Sequence, residues 1–324
     1  DGAVFPNALQ DHAVTETAPG HATVLSGRHP ASTGIVLNEL GVPDSSAPLL
    51  GVPGAKGASP RRFVGTTMID WLRRADPATQ FLSVSRKDRG AILPIGRSRG
   101  PVYWYAAGRF TTSTYYADTL PTWVIRWNAR GGVPALAGRS WTLLLPDSAY
   151  AEPDDQRYES GGKDRTFPHR LPTDSSAVAG AVLDTPWMDS LTLDFALDGA
   201  RVLGLGRRSR PDVLAIGLSA TDYIGHAWGP DSREMHDHLL HLDRYLGWFL
   251  DSLAVLVPGR RIVLALTADH GVVSFPERTI AAGGSGGRIP VGALVEQLNH
   301  ELLGSDVSRP ALFASSGLVH VYSL

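Results

Sequence analysis

The sequence predicts an α/β protein built on an open sheet, and three observations predict it. Three short apolar runs, residues 81–84, 213–218 and 262–266, have the length and composition of buried strands. Segments of helical pattern lie between them, the clearest over residues 231–257. Each run is followed by a cluster of charged or metal-ligating residues. In open α/β sheets, ligands bind outside the carboxyl ends of the strands.

Taken in order, the first element is a helix over residues 18–26. Pro19 is tolerated there because first-turn amides have no partners within the helix. Those amides and the helix dipole attract an anion, and Thr17 stands where it would bind. Alone, a Thr-x-Pro-Gly is more often an ordinary helix start. The strand at 81–84 leads into Ser85-Arg86-Lys87-Asp88-Arg89-Gly90. Lys87 and Arg89 alternate, so an extended segment puts both on one side. Alone, such a pair is more often a solvated basic loop. Residues 95–182 are rich in Tyr, Trp, Pro, Gly and Asp, with little helical periodicity. They are expected to form a capping insertion whose aromatics pack a small core of their own.

The strand at 213–218 precedes Asp222 and His226, which one helical turn places on the same face. A carboxylate with an imidazole is a partial shell for zinc, although singly this spacing is more often a cap and a surface His. In the helix at 231–257, Asp231 and Glu234 resemble a capping box. Its apolar stripe is Met235, Leu239, Leu242, Leu246, Phe249 and Leu253. His236, His238 and His241 are expected at its surface and boundary. The strand at 262–266 ends in Thr267-Ala268-Asp269-His270-Gly271. Adjacent Asp and His reach one metal only where the chain turns, as Gly271 permits. The glycine-rich residues 283–287 lack a preceding strand and a Gly-Lys-Ser/Thr ending, so they read as a loop. Residues 318–322 alternate like a strand.

Composition narrows the function classes. A 43% apolar content supports a sizeable core. The net charge of -2 gives no reason to expect nucleic acid or an anionic membrane as partner. The absence of Cys excludes thiolate ligands, a Cys nucleophile and disulfides. No run of 18 apolar residues is present, so no transmembrane helix is predicted. A Thr nucleophile, two Asp/His pairs and a cationic pair at one sheet edge form a coherent phosphoryl-transfer site.

These segments carry a resemblance. Thr-Ala-Pro-Gly-His at 17–21, Lys-Asp-Arg-Gly-Ala-Ile at 87–92, Thr-Asp-Tyr-Ile-Gly-His at 221–226 and Thr-Ala-Asp-His-Gly at 267–271 resemble the alkaline phosphatase superfamily. Tyr103-Trp104-Tyr105, residues 110–116 and Phe167-Pro168-His169 are also similar. The branch is that of type I phosphodiesterases and nucleotide pyrophosphatases, nearest its threonine-nucleophile, phosphate-irrepressible alkaline phosphatases. The resemblance implies a three-layer sandwich with a mixed, mostly parallel central sheet. Residues 1–94 and 183–275 would form the metal- and phosphate-binding core, 95–182 the cap, and 276–324 a second insertion.

The resemblance also assigns roles. Thr17 matches the nucleophile, Asn38 the amide that holds the phosphoryl group, and Lys87 with Arg89 the basic pair that marks monoesterases. Asp222 and His226 match ligands of one zinc, and Asp269, His270 and Thr17 match ligands of a second. The implied reaction is hydrolysis of small-molecule phosphate monoesters, releasing inorganic phosphate, through a phosphothreonine. The implied compartment is periplasmic or secreted, although no signal peptide is legible in this chain. The family pattern also holds a metal-binding Asp upstream of the nucleophile and a His-Gly near the far end. Asp1, Asp11 and His320 are poor substitutes, so the core is expected to be truncated at both ends, with each metal one protein ligand short. The alternatives are a phosphodiesterase on the same core, or an inactive anion-binding fragment.

Overall fold

A computed structural model describes residues 2–259, 262–304, 310–314 and 321–323, with side chains assigned through residue 312. The chain divides into two units, Asp1–Val273 and Ser274–Leu324. In the first unit, α1 (Thr17–Val24), α2 (Pro30–Thr33) and α3 (Met68–Ala75) precede β1 (Phe81–Ser85). Then come α4 (Asp88–Ile92), β2 (Val102–Ala106), β3 (Arg109–Thr111), α5 (Thr122–Ala129), β4 (Ser140–Trp141) and β5 (His169–Arg170). They are followed by α6 (Ser175–Ala181), α7 (Trp187–Leu203), β6 (Val213–Gly217), α8 (Ala220–Trp228) and α9 (Arg233–Leu256). The second unit holds α10 (Pro276–Ala281), α11 (Val291–Leu303) and a hairpin of β7 (Leu312–Ala314) with β8 (Val321–Ser323).

The central sheet has the order β3-β2-β1-β6. β1 lies parallel to both β2 and β6, in register from Phe81↔Val213 to Ser85↔Gly217. β3 is antiparallel, so the sheet is mixed and mostly parallel as expected. Alternation along β1 builds two cores, because successive side chains point to opposite faces. Leu82 and Val84 join a cluster with Phe195 of α7, Ile224 of α8 and Phe249 of α9. Phe81 joins Ala18 and Ala22 of α1, Ile69 of α3 and Ile92 of α4 on the other face. Helices therefore cover both faces, which is the three-layer arrangement.

Four sequence expectations change. First, β2 and β3 fall within the expected 95–182 insertion yet form half of the central sheet. Ala107 and Gly108 join them in a two-residue hairpin with φ of 46° and 84°. This left-handed pair matches the strand twist. The aromatics of this region do not form a separate core. Phe110 stacks on Phe195 of α7 at 4.2 Å, and Tyr103, Trp123 and Trp127 set their rings against Phe195.

Second, residues 262–266 form no strand. Val263 is 94% exposed and Leu266 82%. An apolar run becomes a strand only when a neighbour completes its backbone hydrogen bonds. Among the described residues, no strand lies beyond β6 to do so. Third, the cap of α9 is Ser232, whose hydroxyl accepts the Met235 N–H at 3.0 Å. Glu234 is buried against His169 instead, at 3.1 Å. Fourth, Leu239 is exposed while His238 is wholly buried. Of the strand expected at 318–322, residues 318–320 lie outside the described residues, and the rest belongs to β8.

Candidate active site

The site lies in the first unit, at the carboxyl ends of β1 and β6. Thr17 is the first residue of α1 and is buried. The first-turn amide of Ala18 donates to Asn38 Oδ1 at 2.8 Å. This bond orients the Asn38 side chain, leaving its amide nitrogen as the end free to donate. β1 ends at Ser85, whose hydroxyl accepts the Lys87 N–H at 3.2 Å and turns the chain into α4. Lys87, 4% exposed, is thereby aimed inward. Its ammonium donates to Thr17 Oγ1 at 3.2 Å and to Asp222 Oδ2 at 2.5 Å.

The extended geometry expected for residues 85–90 ends at Lys87. Asp88 begins a helix, so Arg89 does not share the face of Lys87 and points to Asp88 at 3.5 Å. The structure brings Lys87 to the Thr17 hydroxyl, and the only ion pair it gives Arg89 among the described residues is with Asp88.

β6 leads into α8, which carries Asp222 in its first turn and His226 one turn on, 3.5 Å apart. His270 Nε2 lies 3.5 Å from the same Asp222 Oδ1, and 3.7 Å from Asp269 Oδ2. Asp222 is thus a junction of Lys87, His226 and His270, the first and last of them distant in sequence. Burial pushes its carboxylate up, but hydrogen bonding to His226 and the Lys87 ammonium outweigh that and hold it well below the usual range. His226 is raised in return by the Asp222 carboxylate, whereas burial pulls Lys87 down. Asp269 is also pushed up by burial, yet its bond to His21 brings it below its ordinary value. Asp11 is exposed and pairs with His29 at 3.2 Å, and Asp1 and His320 lie outside the described residues.

Three residues join the site without a role assigned from sequence. His21 Nδ1 lies 2.9 Å from the Thr17 carbonyl and 3.1 Å from Asp269 Oδ2, linking the two ends of the site. A signal was present, since His21 stands one helical turn after Thr17. A Cβ on Gly20 would collide with the Asp269 backbone, so Gly20 admits that close approach. Asp189 of α7 and His238 of α9 support α8 from below. Asp189 Oδ1 accepts the Ala220 N–H at 3.1 Å, and His238 Nε2 lies 2.8 Å from Thr221 Oγ1. No periodicity in α7 or α9 reveals either contact.

Burial pushes the Asp189 carboxyl up to about 7 from 3.8. Between these values the folded chain keeps a proton that the unfolded chain has released. The contribution is therefore fully present below the unfolded value and is lost as pH rises through the folded one. Asp189→Asn retains the acceptor for Ala220 and cannot ionise. Thermal melts are expected to show that this variant loses less stability than the parent between about pH 4 and pH 7. Identical slopes would place the Asp189 proton elsewhere.

An open, mostly parallel sheet, a helix start with its positive dipole end, a buried ammonium and two Asp/His pairs describe an α/β protein with a site suited to an anionic group. The chain belongs to the type I phosphodiesterase / nucleotide pyrophosphatase family, whose model matches residues 1–283. It is 36% identical over 295 residues to alkaline phosphatase PhoV of Synechococcus elongatus, covering 85% of this chain and 54% of that protein. It is 34% identical over 328 residues to alkaline phosphatase PafA of Elizabethkingia meningoseptica, covering 93% and 58%. The crystal structure of wild-type PafA superposes with a TM-score of 0.82 at 29% identity, covering 95% of this chain and 63% of that one. The chain thus spans a little over half the length of these curated relatives.

Proposed function

We propose that this chain carries the core of a phosphomonoesterase that works through a phosphothreonine at Thr17. The observation that carries the reading is the Lys87 ammonium, 3.2 Å from the Thr17 hydroxyl at a helix start. In this reading Thr17 Oγ1 attacks phosphorus in line, and the ester oxygen leaves and takes a proton. Water then attacks phosphorus in turn, releasing inorganic phosphate and restoring the hydroxyl. Lys87, the Asn38 amide and the positive end of the α1 dipole stabilise the non-bridging oxygens, on which charge rests throughout, the Ala18 N–H being taken by Asn38 Oδ1 and the Gly20 N–H by the Glu16 carbonyl. The expected substrates are small phosphate monoesters, and the expected compartment is periplasmic or extracellular, on the strength of the family resemblance. Among the described residues, no helix is long and apolar enough to cross a membrane.

The donor chemistry fits zinc: two carboxylates and two imidazoles, with no thiolate needed. The 3.5 Å between Asp222 Oδ1 and His226 Nε2 is about the edge of a tetrahedron of ligands around zinc. The number of donors is short. Each Asp/His pair supplies two, and among the described residues no three such groups are placed to hold a metal. Asp222 with His226 would hold one zinc ion, and Asp269 with His270 a second, beside Thr17. Bound there, zinc would act as a Lewis acid on the phosphoryl oxygens and lower the pKa of a coordinated hydroxyl.

One observation favours a second reading, a phosphodiesterase. A monoester carries an additional charged oxygen that two cations would hold, and here Lys87 reaches Thr17 while Arg89 pairs with Asp88. Parallel assays of aryl monoester and diester hydrolysis separate the readings. Lys87→Ala is expected to lower kcat/KM for the monoester by roughly 10²-fold, in line with a charge-assisted contact of about 3 kcal/mol. The diester is expected to lose much less. If the monoesterase reading holds, Arg89→Ala shows the same preference. Equal losses on both substrates would make the pair structural.

A further inference from the structure

The residue before the nucleophile poses a problem of charge. Glu16 precedes α1 and is only 9% exposed. A carboxylate at that place competes with a phosphoryl group for the same helix dipole. Yet its side chain makes no capping bond to α1. Instead Glu16 Oε2 accepts the backbone N–H of Asn38 at 2.9 Å. Asn38 returns the contact two residues along, with Oδ1 on the Ala18 N–H at 2.8 Å. The two bonds close a ring around Thr17.

Ile35 and Val42 anchor the two ends of the Asn38 loop in the core, and within it the Asn38 carbonyl accepts the Gly41 N–H at 3.1 Å. Asn38 lies outside helices and strands, beyond the left-handed Gly34 that ends α2 (φ 74°). After Val42 the chain is pinned by the isolated bridge between Pro43 and Ala58. Between those anchors, the bond from the Asn38 N–H to Glu16 Oε2 is the one that ties its backbone to the residue before Thr17. The orientation of its amide matters as much, because Oδ1 must stay on Ala18 for the nitrogen to be the donor.

We propose that Glu16 is a positioning residue for phosphoryl recognition. It fixes the Asn38 backbone so that the Asn38 amide nitrogen is presented beside Thr17, and it acts through Asn38 rather than on substrate. The inference rests on the phosphoryl-transfer reading of the site. It also explains why a carboxylate occupies the approach to an anion site: its oxygen is engaged with Asn38.

A double-mutant cycle tests it, with kcat and KM for an aryl phosphate and the inhibition constant of inorganic phosphate as readouts. Thermal stabilisation by inorganic phosphate gives a readout independent of turnover. Glu16→Ala and Asn38→Ala are each expected to weaken phosphate binding roughly tenfold, and the double variant no more than Asn38→Ala alone. Glu16→Gln is expected to stay within about threefold of the parent, because its amide oxygen accepts the same N–H. Glu16→Asp, one methylene too short, is expected to behave like Glu16→Ala and serves if that variant does not fold. Losses that multiply, or Glu16→Asp with full phosphate affinity, would overturn the proposal. So would Glu16→Gln as weak as Glu16→Ala, which would make charge the property that matters. The functional reading fails separately, if Thr17→Ala turns over aryl phosphate as fast as the parent.

Discussion

Thr17→Ala is expected to abolish phosphoenzyme formation and lower aryl phosphate turnover on the order of 10⁴-fold or more, the scale of other nucleophile deletions. Thr17→Ser is expected to keep measurable activity, because the attacking oxygen remains. The fold is not at stake. Ala suits the start of a helix at least as well as Thr, and the principal loss is one hydrogen bond from Lys87. That bond is worth on the order of 1–2 kcal/mol. Acid quench after mixing with a labelled monoester reads the covalent step directly. A labelled adduct surviving in Thr17→Ala would move the nucleophile elsewhere.

Asp222→Ala is expected to cost both stability and metal binding. The carboxylate touches Lys87 at 2.5 Å, His226 at 3.5 Å and His270 at 3.5 Å. Its removal leaves the Lys87 ammonium buried without its partner. Breaking a buried pair on one side costs about 3–5 kcal/mol. Release of the Lys87 proton limits that cost, since burial already pulls its pKa down, so about 2–3 kcal/mol is the working figure. Denaturant melts measure the first loss, and elemental analysis after zinc loading measures the second. A variant as stable as its parent and as rich in zinc would mean that Asp222 is neither the anchor of Lys87 nor a ligand.

The parts of the site legible in the sequence share a cause. Residues 81–84 and 213–218 are short apolar runs that pair with each other, so the motifs after them emerge side by side. The place of Thr17 follows from the chemistry of a helix start, whereas Asn38 was marked by the family resemblance alone. The rest depended on partners. The run at 262–266 differs from β6 only in a Leu for a Gly, but composition does not supply a neighbouring strand. β2 and β3 were hidden because Ala107-Gly108 is a weak hairpin signal beside Asn-Gly, although Gly108 supplies the positive φ. The geometry of residues 87–89 was not legible, because alternation presumes an extended chain and a helix begins at Asp88. Asp189 and His238 act on α8 from α7 and α9, and contacts between helices leave no mark in a local pattern.

The exposed segment after α9 gives the site two kinds of permanence. Thr17, Lys87 and Asp222 stand on elements whose amides are tied into helices or end on the sheet. Asp269 and His270 arrive on a stretch where residues 262–268 have no secondary structure and Val263 and Leu266 face solvent. Local opening is cheapest where few apolar contacts and few protected amides resist it. Hydrogen exchange is therefore expected to be faster for the amides of residues 262–268 than for those of β1 and β6. Asp269 and His270 are tied to the rest of the site by their contacts with His21 and Asp222.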